Sequence, residues 1–306
     1  MTEKAEGLGK LAQDIDHFLF RFAFHDARRV AALQEEAITH WVPTCKSLKG
    51  HADKLVDIEL ARAFVALEQA MLAFGENRIH QFEDAVRIKL AVDAANVLLK
   101  KVIFAREYEG EVFEEGDEAF YQPPSNGSRR DGMLVVLHGA FMKARNFIWK
   151  WVFPAAQRKL TVYAPASHRA TWSQIDFEWI ESMIEKLSEN YGLAREKTMV
   201  AGLSDGAVAG IELCCRQQAP IRKAAFLAGT RPFNVALMPK IPLYIIHGTE
   251  DPIYPIEAVR ETVGELRAHT KDVTYRELAD VPHSFPYPEI ETLMDWFVED
   301  RPGGKR

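Results

Sequence analysis

Apolar side chains recur every three or four positions along the first hundred residues, the period of a helix with one buried face. Leu8, Leu11, Ile15, Phe18 and Phe22 line such a face, and the pattern runs on through Val30, Leu33 and Ala37 to Trp41, punctuated by Pro43 and Gly50. Leu55, Ile58, Phe64, Val65, Leu67, Met71 and Leu72 mark a second helix, with Gly75 as its stop. Asn77, a good capping residue, is expected to open a third that carries Phe82, Val86, Leu90, Val97, Leu98 and Val102. From Ile88 to Phe104 this helix is apolar on more than one face, as a helix packed between neighbours would be.

The grammar changes after Glu107. Up to Asp131, acidic residues give way to Pro, Ser, Asn and Gly, which are turn formers. A domain boundary near 115 is expected here, with an all-α domain over 1–115 and a second domain over 116–306. Glu118 to Gln122 is expected to form a strand that pairs with the one after Asp131. The opening antiparallel strands otherwise look short or missing, so a reduced sheet is expected. Beyond them short apolar runs at 133–138, 160–165, 198–204, 223–229, 242–248 and 273–278 alternate with helical patterns near 144–158, 173–191, 206–218, 256–269 and 287–298. Apolar strands that alternate with helices predict a mostly parallel sheet covered on both faces, an α/β fold.

With 306 residues, 47% of them hydrophobic and 27% charged, the chain can bury a sizeable core. A formal net charge of −6 offers no basic face for a nucleic-acid backbone, so no nucleic-acid partner is expected. The start, MTEKAEGLGKLAQDIDHF, lacks the basic and then apolar order of a secretory signal, and no run reaches the ~18 apolar residues of a membrane span. Three cysteines (Cys45, Cys214 and Cys215) make no disulfide framework. A cytoplasmic protein with reduced thiols is expected.

Candidate chemistry centres on Gly202-Leu203-Ser204-Asp205-Gly206, which joins the apolar strand TMVAGL to the helix AVAGIELCCRQ. A serine at such a sharp strand-to-helix turn exposes its hydroxyl above the sheet, and the flanking glycines avoid collisions there. A serine hydroxyl needs a base, and the base needs an orienting carboxylate. The next strand to end in an acid, PLYIIHGTED, supplies Asp251, and DVPHSF, one helix and one strand later, supplies His283. The order Ser, Asp, His is the one expected of this arrangement. Glu250, Asp280, His247 and His269 are the rivals. His247 closes a buried strand, and His269 sits at a helix end. For a developing oxyanion, backbone N–H donors are expected from Asp205 and from Ala140, with Phe141 as second choice. His138 reads as a brace for that loop rather than as a reacting group.

Taken in order, LVVLHGA, GLSDGA, IIHGTEDPIYP and PHSF resemble the α/β-hydrolase superfamily, and are most similar to its small carboxylesterase/phospholipase and dienelactone-hydrolase-like branch. The resemblance spans Glu118 to Asp300. It implies a three-layer α/β-hydrolase fold, hydrolysis of esters or thioesters, no cofactor, and Ser204, Asp251 and His283 as nucleophile, acid and base. Val281-Pro282 stand before the histidine where many relatives have glycine, and the helical first third has no counterpart in that branch.

Phe141, His168, Trp172 and Tyr254 are expected to line a pocket for a small ester-like substrate, since ligand pockets are mostly apolar with few polar groups. Arg145, Arg169 and Arg231 also follow strand ends, either as solvated surface residues or as partners of an acidic acyl group. No metal is expected. His17, His25, His40, His51 and His80 lack the paired Glu-x-x-His motifs of a di-iron bundle. The dense stripe Phe18, Phe20, Phe22 and Phe24 is expected to pack on other helices, on the second domain, or in a homo-oligomer. The alternatives to ester hydrolysis are a peptide or carbon–carbon bond cleaved by the same triad, and a silent hydrolase-like scaffold whose helical domain binds a partner.

Overall fold

The structure, a computed structural model, describes residues 2–77, 79, 81–124 and 132–299, the side chains of 2–6 and 82 excepted. The chain divides into two compact units, Met1–Glu109 and Gly110–Arg306.

The first unit is built from α1 (Thr2–Phe20), α2 (Ala27–Glu36), α3 (Val42–Lys54), α4 (Ile58–Glu76) and α5 (Phe82–Glu107). The helical pattern read as continuous to Trp41 is broken at Asp26, whose carboxylate accepts the N–H groups of Arg28 and Arg29 at 3.0 and 3.2 Å and so caps α2. Pro43 and Gly50, in contrast, break nothing. A π turn over Ala37–Trp41 leads directly into α3, and Pro43 stands in its first turn, where no N–H is needed. Gly75 stands one residue before the end of α4 at Glu76, close to the expected stop. Asn77 closes α4 instead of opening α5: its side-chain amide donates to Ala73 O at 2.6 Å, while Gln34 Nε2 donates to its carbonyl at 2.7 Å. Within the aromatic stripe, Phe18 and Phe22 pack edge-on against Phe74 at 5.1 and 5.4 Å. His17, His25, His40 and His51 are exposed, and His80 lies outside the described residues.

The second unit is one eight-stranded sheet of β1 (Glu111–Glu115), β2 (Glu118–Gln122), β3 (Met133–Leu137), β4 (Thr161–Ala164), β5 (Thr198–Leu203), β6 (Ile221–Leu227), β7 (Leu243–Gly248) and β8 (Val273–Leu278). Its order is β1-β2-β4-β3-β5-β6-β7-β8. From β3 to β8 every pairing is parallel, and β1 and β2 are antiparallel at one edge. The opening strands are therefore present. β1 lies in the acidic segment that reads as linker, with its side chains mostly exposed. β2 pairs with β4 and not, as expected, with β3, because β3 lies one strand further in, fully buried between β4 and β5.

The helices are α6 (Ala144–Phe147), α7 (Val152–Gln157), α8 (Gln174–Tyr191), α9 (Asp205–Arg216), α10 (Ile256–His269) and α11 (Ile290–Val298). The helix expected over 144–158 is split by a 3-10 turn, since Pro154 is tolerated only in the first turn of a helix and a new one starts at Val152. One face of the sheet presents Val135, Val200, Ala224 and Ile245 to Ile184 of α8, Ile211 of α9 and Val263 of α10. Alternate residues point to the other face, where Tyr244 meets Trp296 of α11 at 5.3 Å. These are the three layers of the expected α/β fold.

Candidate active site

Three loops leave the carboxyl ends of β5, β7 and β8 on one rim of the sheet, where open α/β sheets collect their ligands. Between β5 and α9 a single residue, Ser204, makes the whole turn, with φ 56° and ψ −120°. That conformation costs a non-glycine residue on the order of 1–3 kcal/mol and persists only where the surroundings impose it. Here Ser204 N–H donates to Leu227 O at 2.8 Å, and its carbonyl accepts from Ala207 N–H at 2.9 Å. A methyl group on Gly202 would overlap the carbonyl of Gly206, and one on Gly206 would overlap the carbonyl of Leu137. The two flanking glycines are required for space.

Asp251 and His283 arrive on loops stitched to each other. Glu250 N–H donates to Val281 O at 3.0 Å, and Asp280 N–H to Thr249 Oγ1 at 2.9 Å. Asp251 is buried, and its Oδ1 accepts the N–H groups of Ile253 and Tyr254 at 2.8 and 3.0 Å. Its Oδ2 stands 2.7 Å from His283 Nδ1, and His283 Nε2 stands 2.9 Å from Ser204 Oγ. Burial works to raise the Asp251 carboxyl. The bond and charge of His283, the Tyr254 N–H and the nearby His247 outweigh it and hold the group below its ordinary value. An ionised carboxylate can only accept, so Nδ1 carries the hydrogen and Nε2 offers its lone pair to the serine hydroxyl.

Of the rival histidines, His269 donates to Met238 O, while His247 lies beside the acid, its Nε2 2.8 Å from Tyr254 O and 3.5 Å from Asp251 Oδ2. Burial holds His247 and His138 below the usual histidine value, so both are neutral near pH 7. His138 braces its loop. Its Nδ1 donates to Gly139 O at 2.8 Å, and Ser167 N–H points to its Nε2 at 3.4 Å.

Asp205 is the first residue of α9, so its N–H has no intrahelical acceptor. Phe141, which has φ 63°, uses its N–H on Ala170 O at 2.9 Å. That removes the second choice and leaves Ala140, the first, as the candidate on this side. Gly139 brings the same segment against Ser204, whose Cβ would stand 3.4 Å from a methyl there.

The expected pocket residues part company. Tyr254 lies beside His283, the two rings 5.8 Å apart. Phe141 is largely exposed. Trp172 is half-buried against the His138 ring at 4.7 Å. The ring of His168 is turned to a buried carboxylate, Asp176 Oδ1, at 2.6 Å. Arg145 pairs with Asp117 and Arg231 with Glu212, as surface arginines do, and Arg169 is exposed.

A family model described as Phospholipase/Carboxylesterase matches residues 132–298, more than half of the chain. The chain belongs to that family. Membership supports ester hydrolysis as the reaction class. In fold the chain is similar to TT1662 of Thermus thermophilus (15% identity, 63% of this chain and 100% of that one, TM-score 0.52). It is similar also to FphF, a fluorophosphonate-binding serine hydrolase of Staphylococcus aureus (14%, 63% and 98%, TM-score 0.51), and to the S-formylglutathione hydrolase FrmB of the same organism (14%, 63% and 98%, TM-score 0.51). At such identities the likeness is one of fold. No curated protein matches the chain in sequence. No described helix is long and apolar enough to cross a membrane.

Two neighbours of the site escape a reading of the sequence. Gly229, at the end of β6, leaves no room for a side chain against the Ser204 carbonyl; the small pair Ala228-Gly229 at a strand end was the available signal. Asp176 reads as an ordinary helix-cap acid, and nothing in its spacing announces that it holds His168.

Proposed function

We propose that the chain is a serine hydrolase that cleaves a carboxylic ester, or the related thioester, through an acyl-enzyme on Ser204. Ser204 Oγ attacks the acyl carbonyl while His283 Nε2 takes its proton. The carbonyl oxygen becomes an oxyanion bound by Ala140 N–H and Asp205 N–H. Asp251 holds the imidazole in the right tautomer and stabilises the imidazolium. Collapse of the tetrahedral intermediate breaks the bond to the leaving group, which receives the proton from His283. Water, deprotonated by the same nitrogen, then repeats the attack and frees the acid. The steps use side chains and N–H groups of this chain and water alone. Aromatic side chains at the rim, Tyr254 and Phe141 foremost, favour an apolar group on one side of the ester.

The supporting observation is the unbroken relay from Asp251 through His283 to Ser204 at 2.7 and 2.9 Å. A fluorophosphonate probe is expected to form an adduct on Ser204 in the folded protein. Ser204→Ala is expected to lose about 10³-fold or more in kcat on p-nitrophenyl esters. Near wild-type turnover by that variant rejects the assignment of Ser204, and no adduct on the wild type favours a silent scaffold. A panel of p-nitrophenyl esters, acyl thioesters and aminoacyl anilides separates ester, thioester and peptide chemistry.

A further inference from the structure

Trp172 makes two hydrogen bonds, and they lead to the two chain segments from which the proposed oxyanion donors come. Its indole Nε1–H donates to His138 O at 2.8 Å, two residues before Ala140. Its backbone N–H donates to Asp205 Oδ2 at 3.1 Å, on the residue whose own N–H is the other donor. The same loop adds a third tie, from Phe141 N–H to Ala170 O. The loop has firm footing of its own: buried Asp176 accepts the N–H groups of His168 and Ser173 at 2.8 and 2.6 Å. The ring of Trp172 lies on that of His138, so the indole cannot swing without losing this contact.

Below the rim, β3 and β5 are held together by the sheet ladder, whose last pairing joins Leu137 and Gly202. Past that pairing the ladder no longer fixes the separation of the two segments. An oxyanion hole works only if both donors stand about 2.7–3.1 Å from one oxygen position, and a misplacement of about 1 Å costs on the order of 100-fold in rate.

We propose that Trp172 is a positioning residue that clamps the loop after β3 to the N-terminus of α9, so that Ala140 N–H and Asp205 N–H converge on one oxygen. The clamp rests on the serine-hydrolase reading above. It differs from the part of pocket wall expected of Trp172. A wall contacts substrate and transition state alike and acts on KM, whereas a clamp acts where negative charge develops and shows in kcat.

The test uses the full chain with p-nitrophenyl esters. Trp172→Phe removes the indole N–H and keeps an aromatic ring and the backbone N–H. It is expected to lower kcat roughly ten- to a hundredfold with KM within about twofold. Affinity for an aryl trifluoromethyl ketone, which adds the Ser204 oxygen to give a charged adduct, should fall by a similar factor. Affinity for the corresponding alcohol, which forms no adduct, should not move. Asp205→Ala removes the acceptor of the second bond and should lower kcat likewise, and Asp205→Asn, which keeps an oxygen there, should retain about tenfold more kcat than the alanine variant. An unchanged kcat in Trp172→Phe, or a parallel loss of affinity for ketone and alcohol, overturns the clamp. If Trp172→Phe does not fold, the Asp205 pair decides, and equal kcat in the two overturns it. Fluorophosphonate labelling of the wild type separates the two levels. No adduct on Ser204 removes the serine-hydrolase reading and the clamp with it, whereas a labelled wild type with unaffected variants removes the clamp alone.

Discussion

Ser204 sits in a backbone conformation that its side chain disfavours, and Asp251 divides its two oxygens between separate tasks. Oδ1 accepts two backbone N–H groups and fixes the loop, while Oδ2 faces His283. This division makes Asp251→Asn informative. The amide oxygen would take over the backbone bonds and leave the NH₂ facing His283 Nδ1. The imidazole would then have to offer a lone pair at Nδ1 and carry its proton on Nε2, where the serine needs an acceptor. Loss of about 10³–10⁴-fold in kcat is expected, as in other triads given the wrong tautomer. Melting temperature should change little, and a drop in kcat under tenfold would contradict the assigned roles of the two oxygens. At this scale the sequence is explicit about Ser204, because the glycines around it have no other use in a strand-to-helix turn. It is explicit about Asp251 and His283 only through chain order. It hints at Gly229 only through the small pair Ala228-Gly229, and it says nothing of the contact between His247 and the acid, since a histidine there does not depart from what an ordinary buried strand end would carry.

Among the elements, the start of α8 bears on the site most directly. Ser173 and Asp176 form a capping box there, and Asp176 also holds the backbone and ring of His168, all with a fully buried carboxylate. Asp176→Ala would strip the cap and leave the His168 and Ser173 N–H groups without their acceptor. A loss of about 2–4 kcal/mol of stability is expected from the cap and from the unmet donors, read from the urea midpoint at constant slope. Asp176→Asn, which keeps one acceptor oxygen, should lose less; equal losses would mean that the carboxylate is dispensable as an acceptor. Elements with strong apolar periodicity, β3 through β8 and their helices other than the split pair α6 and α7, follow from the sequence to within a few residues. β1 does not, because three glutamates among five residues leave an exposed edge strand with no buried face to advertise it. The end of α4 at Asn77 is lost for a related reason. A capping residue looks the same at either end of a helix, and only the bonds to Ala73 and Gln34 tell which end it serves.

Among the described residues, the buried groups His138, His247, Asp176 and Asp251, at and beside the site, are held away from their ordinary values in ways that stability must register. Burial depresses His138 and His247, which stay neutral in the folded protein while the unfolded chain takes up protons below its histidine value of about 6.5. Their contribution is complete above about pH 6.5 and is lost as pH falls from there. Asp176 and Asp251 are held low against the effect of burial, by bonds from Ser173 and His168 in one case and from His283 in the other. Their contribution persists to about pH 4 and is lost below it. The melting temperature is therefore expected to fall in two stages, the first starting just under pH 6.5 and the second under about pH 4. A melting curve flat from pH 7.5 to 5 would contradict the buried state of the two histidines.

By itself the sequence determined the class of fold, the alternation that builds its sheet, and the three groups proposed to react. Each of these is written in local periodicity or in the order of strand ends. Tertiary structure alone decided which strands are neighbours, as in the placing of β4 between β2 and β3, that Phe141 spends its N–H on Ala170, and that Trp172 spans two segments more than thirty residues away from it on either side. Those outcomes depend on distances between parts of the chain that local propensity does not connect, and only packing of the whole sheet sets them.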